Sequence, residues 1–249
     1  AFNALEGLTA KYPSSPLSGM ALLKLSERGV ELEKYDEAES YANRILEEFE
    51  ESAIREKARY QLIVIRMARG DFDGVLEQTD QYLSSQADPA RKKEVFRKAI
   101  DASYQIERYE ECLSMIDAFR AEFPGADSTG WSYIRTARIL EAEGRVSHAL
   151  AALDSMSARF PESACSAEVH LLKGRLSAAE GSTREAARFY DLALAEGVEE
   201  QGEVLLELAR LYYEDIRDTL SAIRYWEEAS AVNDGGDRER ALFNAAEAK

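Results

Sequence analysis

The chain has 249 residues, 45% of them apolar, with 14 glycines, 5 prolines and a formal net charge of −16. The apolar share excludes a disordered chain, and so few glycines and prolines exclude an all-β protein with its many turns. The acidity argues against nucleic acid as a partner, because it repels a phosphate backbone.

Taken in chain order, one phrase recurs, a small residue set inside the start of a helix. It is KYDEAESYANRIL around Ala38, DFDGVLEQTDQYL around Val75 and RYEECLSMIDAF around Cys112. It returns as RVSHALAALDSM around Ala149, STREAARFYDLAL around Ala186 and DTLSAIRYWEEA around Ala222. The steps are 37, 37, 37, 37 and 36 residues. An aromatic ending keeps the same step at Tyr12-Pro13, Phe49-Glu50, Phe123-Pro124 and Phe160-Pro161. Counting back 37 from Ala38 lands on Ala1. Residues 1–16 therefore read as the second helix of a truncated repeat, 17–235 as six full repeats and 236–249 as the first helix of another. Together these make residues 1–249 a single array, which we expect to be a piece of something longer.

Within each second helix the apolar residues step by four and three, as in Ala38, Ala42, Ile45 and in Cys112, Ile116, Phe119. That spacing puts them on one stripe. The small residue leads where two helices approach closely; Val75 is its bulkiest occupant and predicts a slightly splayed hairpin. Gly70, Gly144 and Gly181 each stand five residues before that small residue, where a helix-ending glycine belongs. Loops are predicted near 12–17, 49–54, 86–90, 123–129, 160–164, 197–202 and 233–237.

These units resemble the tetratricopeptide (TPR) repeat, most closely in LLKGRLSAAEGSTREAARFYDLAL. The family's Leu-Gly pair maps near Lys173-Gly174, its small residue onto Ala186, and its later aromatic and alanine onto Tyr190 and Ala193. The step of 37 exceeds the family's usual length of about 34. The resemblance implies an all-α fold, a right-handed α-solenoid of antiparallel helical hairpins. The Phe-Pro endings are similar to those of bacterial cell-envelope TPR proteins, which points to the periplasm or envelope.

Catalytic and metal constellations are not evident. His148 and His170 stand 22 residues apart without flanking ligands, whereas a zinc site needs about four ligands, mostly at short spacings. His148 reads as a surface or cap residue and His170 as a packing or groove residue. Gly235-Gly236 reads as a turn and lacks the Gly-Lys-Ser/Thr ending of a phosphate loop. Cys112 sits at the close-packed position and reads as an inert buried thiol; Cys165 reads as more exposed, and a disulfide between the two is not expected. No apolar run of about 18 residues spans a membrane. No enzyme activity and no cofactor are expected.

In TPR arrays the first helices line a concave groove, and the resemblance therefore implies groove positions at Tyr60, Arg97, Asp101, Tyr104, Trp131, Arg138, Glu168 and Arg175. Aromatic and Arg residues are frequent hot spots, although Tyr60 and Trp131 read equally as packing between hairpins. The basic stretch RKKEVFRKA at 91–99 could attract an acidic segment or simply be a solvated face. The family's paired-asparagine carboxylate clamp is absent from the complete repeats. The expected function is a scaffold that holds a protein or peptide partner; the alternative is a regulatory or sensor module of a longer enzyme. The array's ends, with Phe2, Leu5 and Leu8 on one side and Leu242 and Phe243 on the other, are expected to be exposed and to promote weak self-association.

Overall fold

The computed structural model describes residues 2–84, 88–163 and 166–248. Ala1, Cys165 and the 86–87 part of the third expected loop lie outside them. Among the described residues all regular structure is helical, and it groups into two compact units, 1–126 and 127–249.

The first unit holds α1 (Phe2–Lys11), α2 (Pro16–Glu31), α3 (Tyr35–Glu48), α4 (Ser52–Arg69), α5 (Phe72–Leu83), α6 (Pro89–Gln105) and α7 (Tyr109–Glu122). Within it α2 and α3, α4 and α5, and α6 and α7 form hairpins, and the first helices α2, α4 and α6 pack side by side. The second unit holds α8 (Trp131–Ala142), α9 (Val146–Arg159), α10 (Ala167–Ala179), α11 (Thr183–Ala195), α12 (Gln201–Arg210), α13 (Thr219–Val232) and α14 (Gly235–Glu247). Its hairpins are α8 with α9, α10 with α11, and α12 with α13, against which α14 packs. α14 begins at Gly235, so the expected turn at Gly235-Gly236 is instead the start of an element; Asn233-Asp234 makes the connection.

One turn closes every hairpin. A residue with left-handed backbone follows the first helix: Glu33, Gly70, Glu107, Gly144, Gly181 and Arg217, with φ between 58° and 83°. In the first five hairpins the next residue's N–H bonds a carbonyl five residues back: Lys34 to Gly29, Asp71 to Arg66, Arg108 to Ser103, Arg145 to Leu140 and Ser182 to Ser177, at 2.7–2.9 Å. This satisfies carbonyls that a helix end would otherwise leave unpaired. The sixth hairpin differs. Its first helix ends in a π-helical turn, Leu211–Ile216, and the Asp218 N–H reaches back six residues to the Tyr212 carbonyl.

The second helices bury the stripe their spacing predicts. Ala38, Ala42 and Ile45 are fully buried, as are Val75, Thr79 and Tyr82, and Ala149, Leu153 and Met156. Ala186, Tyr190 and Ala193 and then Ala222, Trp226 and Ala229 repeat this with at most 5% exposure. First helices contribute Leu22 and Leu25, Ile63 and Ile65, Phe96 and Ile100, Leu172 and Leu176. Each large apolar side chain so buried contributes about 1.5–3 kcal/mol. Phe49, Phe123 and Phe160 are each the residue at which a second helix stops, with φ of −122°, −128° and −132°. Their rings turn back onto the hairpin: Phe123 lies edge-on to Phe96 at 6.0 Å, and Phe160 edge-on to Tyr133 at 6.1 Å.

The N-terminal face is more covered than the sequence predicts. Phe2, Leu5 and Leu8 are half-buried, with the Phe2 ring 6.2 Å from Tyr41. At α14 the expected exposure is present, Leu242 being 49% and Phe243 65% exposed.

Candidate partner-binding groove

The left-handed turn residues give every first helix a common origin. Counted back from them, residues thirteen, ten, six and three positions earlier share one helix face. All eight candidate residues fall on this count. Trp131 and Glu168 stand at thirteen, Tyr60 and Arg97 at ten, Asp101, Arg138 and Arg175 at six, and Tyr104 at three.

In the first unit Tyr60 is half-buried on α4, and its hydroxyl donates to the Glu94 carboxylate on α6. Burial raises its pKa first, and the acceptor carboxylate raises it further. Its ring lies 6.4 Å from Tyr82. Tyr60 thus packs between hairpins and also lines an open cleft. On α6, Arg97 is exposed while Asp101 and Tyr104 are half-buried; Tyr104 leans on Tyr109 at 6.0 Å. An open cleft of about 340 Å³ runs between α2 and α4 and is closed by Arg91 at the start of α6. It is lined by Met20, Leu23, Lys24, Glu27, Lys57, Tyr60, Gln61 and Arg91.

In the second unit Trp131 is half-buried at the first turn of α8. Arg138 on α8 and Glu168 on α10 form an ion pair of 2.7 Å, both side chains about half exposed. Glu141, one turn beyond Arg138, is held above the usual carboxylate range by burial, with Arg175 and Arg138 opposing. Arg138, Glu141, Glu168 and Arg175 therefore share one charged face. Arg175 also borders a cleft of about 540 Å³ with Leu171, Ala178, Val204 and Leu206 on its walls and Tyr190 beneath. Glu203, Glu207, Asp237 and Arg240 complete its rim. Burial pushes the Tyr190 phenol up to about 12, so it remains a proton donor at neutral pH. Gly174 permits this placement: a Cβ there would come within 2.5 Å of the Tyr190 ring.

Of the eight candidates, Tyr60 and Arg175 line a cleft. The other lining residues were missed, though the same count finds several. Met20 and Lys57 stand at thirteen, Leu23 and Leu171 at ten, Glu27 at six and Ala178 at three. The count overlooks Gln61, Arg91 and Tyr190, whose approach to a cleft depends on how neighbouring helices cross.

The remaining chemistry is sparse. His148 is exposed on α9. His170 is 9% exposed on α10 and stacks on Phe189 at 6.3 Å. Cys112 is fully buried, its Sγ 3.3 Å from the Ile100 carbonyl. Among the described residues no three His, Cys, Asp or Glu side chains gather as a metal site, and no helix is long and apolar enough to cross a membrane.

No protein-family model and no curated protein matches the sequence. Solved structures do. The C-terminal part of a TPR repeat-containing protein from Cytophaga hutchinsonii superposes with a TM-score of 0.76 at 14% identity, covering 98% of this chain and 92% of that one. PilF of Pseudomonas aeruginosa gives 0.61 at 17% identity, covering 88% and 93%. YrrB, described as a TPR protein with an unusual peptide-binding site, gives 0.59 at 11% identity, covering 81% and 96%. At such identities the likeness speaks for architecture alone, and the architecture is that of the TPR proteins, helical hairpins repeated into an α-solenoid.

Proposed function

We propose that this protein is an interaction scaffold that holds a protein or peptide partner along the faces of its first helices. The observation that carries the reading is the pair of open clefts, one in each unit, both on the face that the repeat count selects. Each combines apolar walls with charged rims, the composition of a surface that recognises a polypeptide. The TPR architecture supports the same role, and one neighbour of that architecture carries a peptide-binding site by its own description. Neither cleft gathers a nucleophile with a base, which favours holding over catalysis.

The test is selection of peptides from a random display library against the whole protein, followed by hydrogen–deuterium exchange with a selected peptide. Protection is expected in α2, α4, α10 and α12. Protection confined to the second helices, or no enriched peptide, would overturn the reading. A finer placement, in a bacterial envelope complex, is supported by the Phe-Pro endings; fractionation that finds the native protein in the cytosol would overturn it.

A further inference from the structure

The first helix of the fifth hairpin departs from the repeat at a place that neither cleft uses. Eight residues before the turn, the first four hairpins carry Leu25, Leu62, Ala99 and Thr136, and none of these is charged. The fifth carries Lys173, with His170 one turn earlier. Both residues are 9% exposed. At about 100° per residue they lie on the side of α10 roughly opposite its groove face. There Lys173 reaches Asp154 and Ser157 of α9, and His170 stacks on Phe189 of α11.

A buried ammonium is costly unless its hydrogens find acceptors. Lys173 Nζ lies 2.9 Å from the Asp154 carboxylate and 3.2 Å from the Ser157 hydroxyl. An ammonium has a third hydrogen, and the described residues offer it no acceptor. The Asp154 side chain is 73% exposed against 11% for Lys173. Its carboxylate thus keeps water while it bonds, and an entering oxyanion replaces the bond it gives up.

A second observation is independent of that pair. His170 Nδ1 is buried with no hydrogen-bond partner. An orphaned lone pair is tolerated better than an orphaned N–H, which places the proton on Nε2. Nε2 has no partner among the described residues either, but it is not sealed in. The Phe189 ring gathers the donors: its centroid is 6.3 Å from the imidazole, 5.6 Å from Lys173 Nζ and 5.9 Å from Arg188 Cζ. Lys173 and Arg188 hold the His170 pKa down, in addition to burial, while Glu196 opposes them.

We propose that Lys173, Arg188 and the Nε2–H of His170 form a site for a phosphate- or sulfate-type oxyanion, free or carried by a partner, with Asp154 giving way to it. The site stands apart from the groove and does not depend on the scaffold reading. The chain has two histidines, so proton NMR of the whole protein shows two imidazole Hε1 signals, and the exposed His148 serves as internal control. Sulfate titrated against chloride at constant ionic strength should shift the His170 signal to saturation and raise the pH at which it titrates, leaving His148 in place. His170→Leu, the residue found at Leu22 eleven positions before its own turn, assigns the signal. Lys173→Leu, the residue found at Leu25 and Leu62, should abolish the response. Arg188→Gln, at an exposed position that leaves the packing untouched, should weaken it. Asp154→Asn should tighten sulfate roughly tenfold. A phosphoserine peptide and its unphosphorylated form, compared with inorganic phosphate, separate the sources: tighter binding of the phosphopeptide identifies a carried group, and equal binding a free ion. Equal movement of both histidine signals, or a response that survives Lys173→Leu and Arg188→Gln, overturns the proposal.

Discussion

At the scale of single residues, the hairpin turn poses the same demand six times and receives two kinds of answer. Gly70, Gly144 and Gly181 take the left-handed backbone without a Cβ, whereas Glu33, Glu107 and Arg217 hold it at φ of 58°, 58° and 63°. A residue with a side chain gives up about 1–2 kcal/mol in that conformation. Glycine gives back about 0.4–1 kcal/mol through the greater freedom of its unfolded chain. The steric term is the larger, so Glu107→Gly should stabilise the protein by about 0.5 kcal/mol. Gly144→Glu should destabilise it by a similar amount. Urea denaturation monitored by circular dichroism reads both, and a destabilised Glu107→Gly would show the turn to be held by more than backbone preference. Burial makes a comparable demand at Ala186, which is fully buried. Ala186→Leu should cost about 1–3 kcal/mol by overpacking, and a change within error of zero would mean that the helices part to admit it.

At the scale of the helical element, α10 is the most completely enclosed, burying His170 and Lys173 along with its apolar residues. Burial depresses the His170 pKa below its ordinary value of 6.5, with Glu196 opposing and Lys173 and Arg188 adding to the effect. Lys173 is itself fixed, its Nζ 2.9 Å from Asp154 and 3.2 Å from the Ser157 hydroxyl. The unfolded chain therefore takes up the proton more readily than the folded one. Stability is fully present above the unfolded value and is lost as pH falls below it. The urea midpoint should drop between pH 7.5 and pH 5, and His170→Gln should shrink that drop. An unchanged drop would assign the pH dependence to carboxylates alone.

The elements themselves were legible in the sequence because their determinants are local. A small residue five positions after a turn, and apolar residues stepping by four and three, need no knowledge of the partner helix. The candidate groove was legible only as a face. Arg138 and Arg175 were placed on it by counting, but Gln61 and Tyr190 owe their position to helix crossings that no spacing records. Cys112 read correctly as buried because it occupies the packed position of its own helix.

At the scale of the whole molecule, the distribution of apolar surface sets the behaviour in solution. α14 leaves Leu242 and Phe243 exposed at 49% and 65%, while the face of α1 is half covered. Weak self-association is expected to run through α14. The net charge of −16 opposes it at low ionic strength, so association should rise with salt as repulsion is screened. Phe243→Lys should abolish that rise in light scattering of the whole protein. Equal scattering by the variant would move the contact elsewhere.

The π-helical turn at Leu211–Ile216 gives the array a slipped register. One residue added to an α-helix rotates everything beyond it by about 100°, and a π-turn absorbs that rotation on the spot. Leu206 shares a cleft with Leu171, yet it lies eleven residues before its turn residue and Leu171 lies ten before its own. Val204 and Glu207, on the common count at thirteen and ten, line the same cleft, so a substitution scan laid out on a fixed period reaches part of this side of α12 and misses Glu203 and Leu206. Deleting Tyr213 should convert the stretch to uninterrupted α-helix and bring Leu206 to ten residues before its turn, the position of Leu171. A variant that keeps its fold after that single deletion would identify the π-turn as an accommodated insertion, one that shifted the numbering of the last hairpin and left its surface where it was.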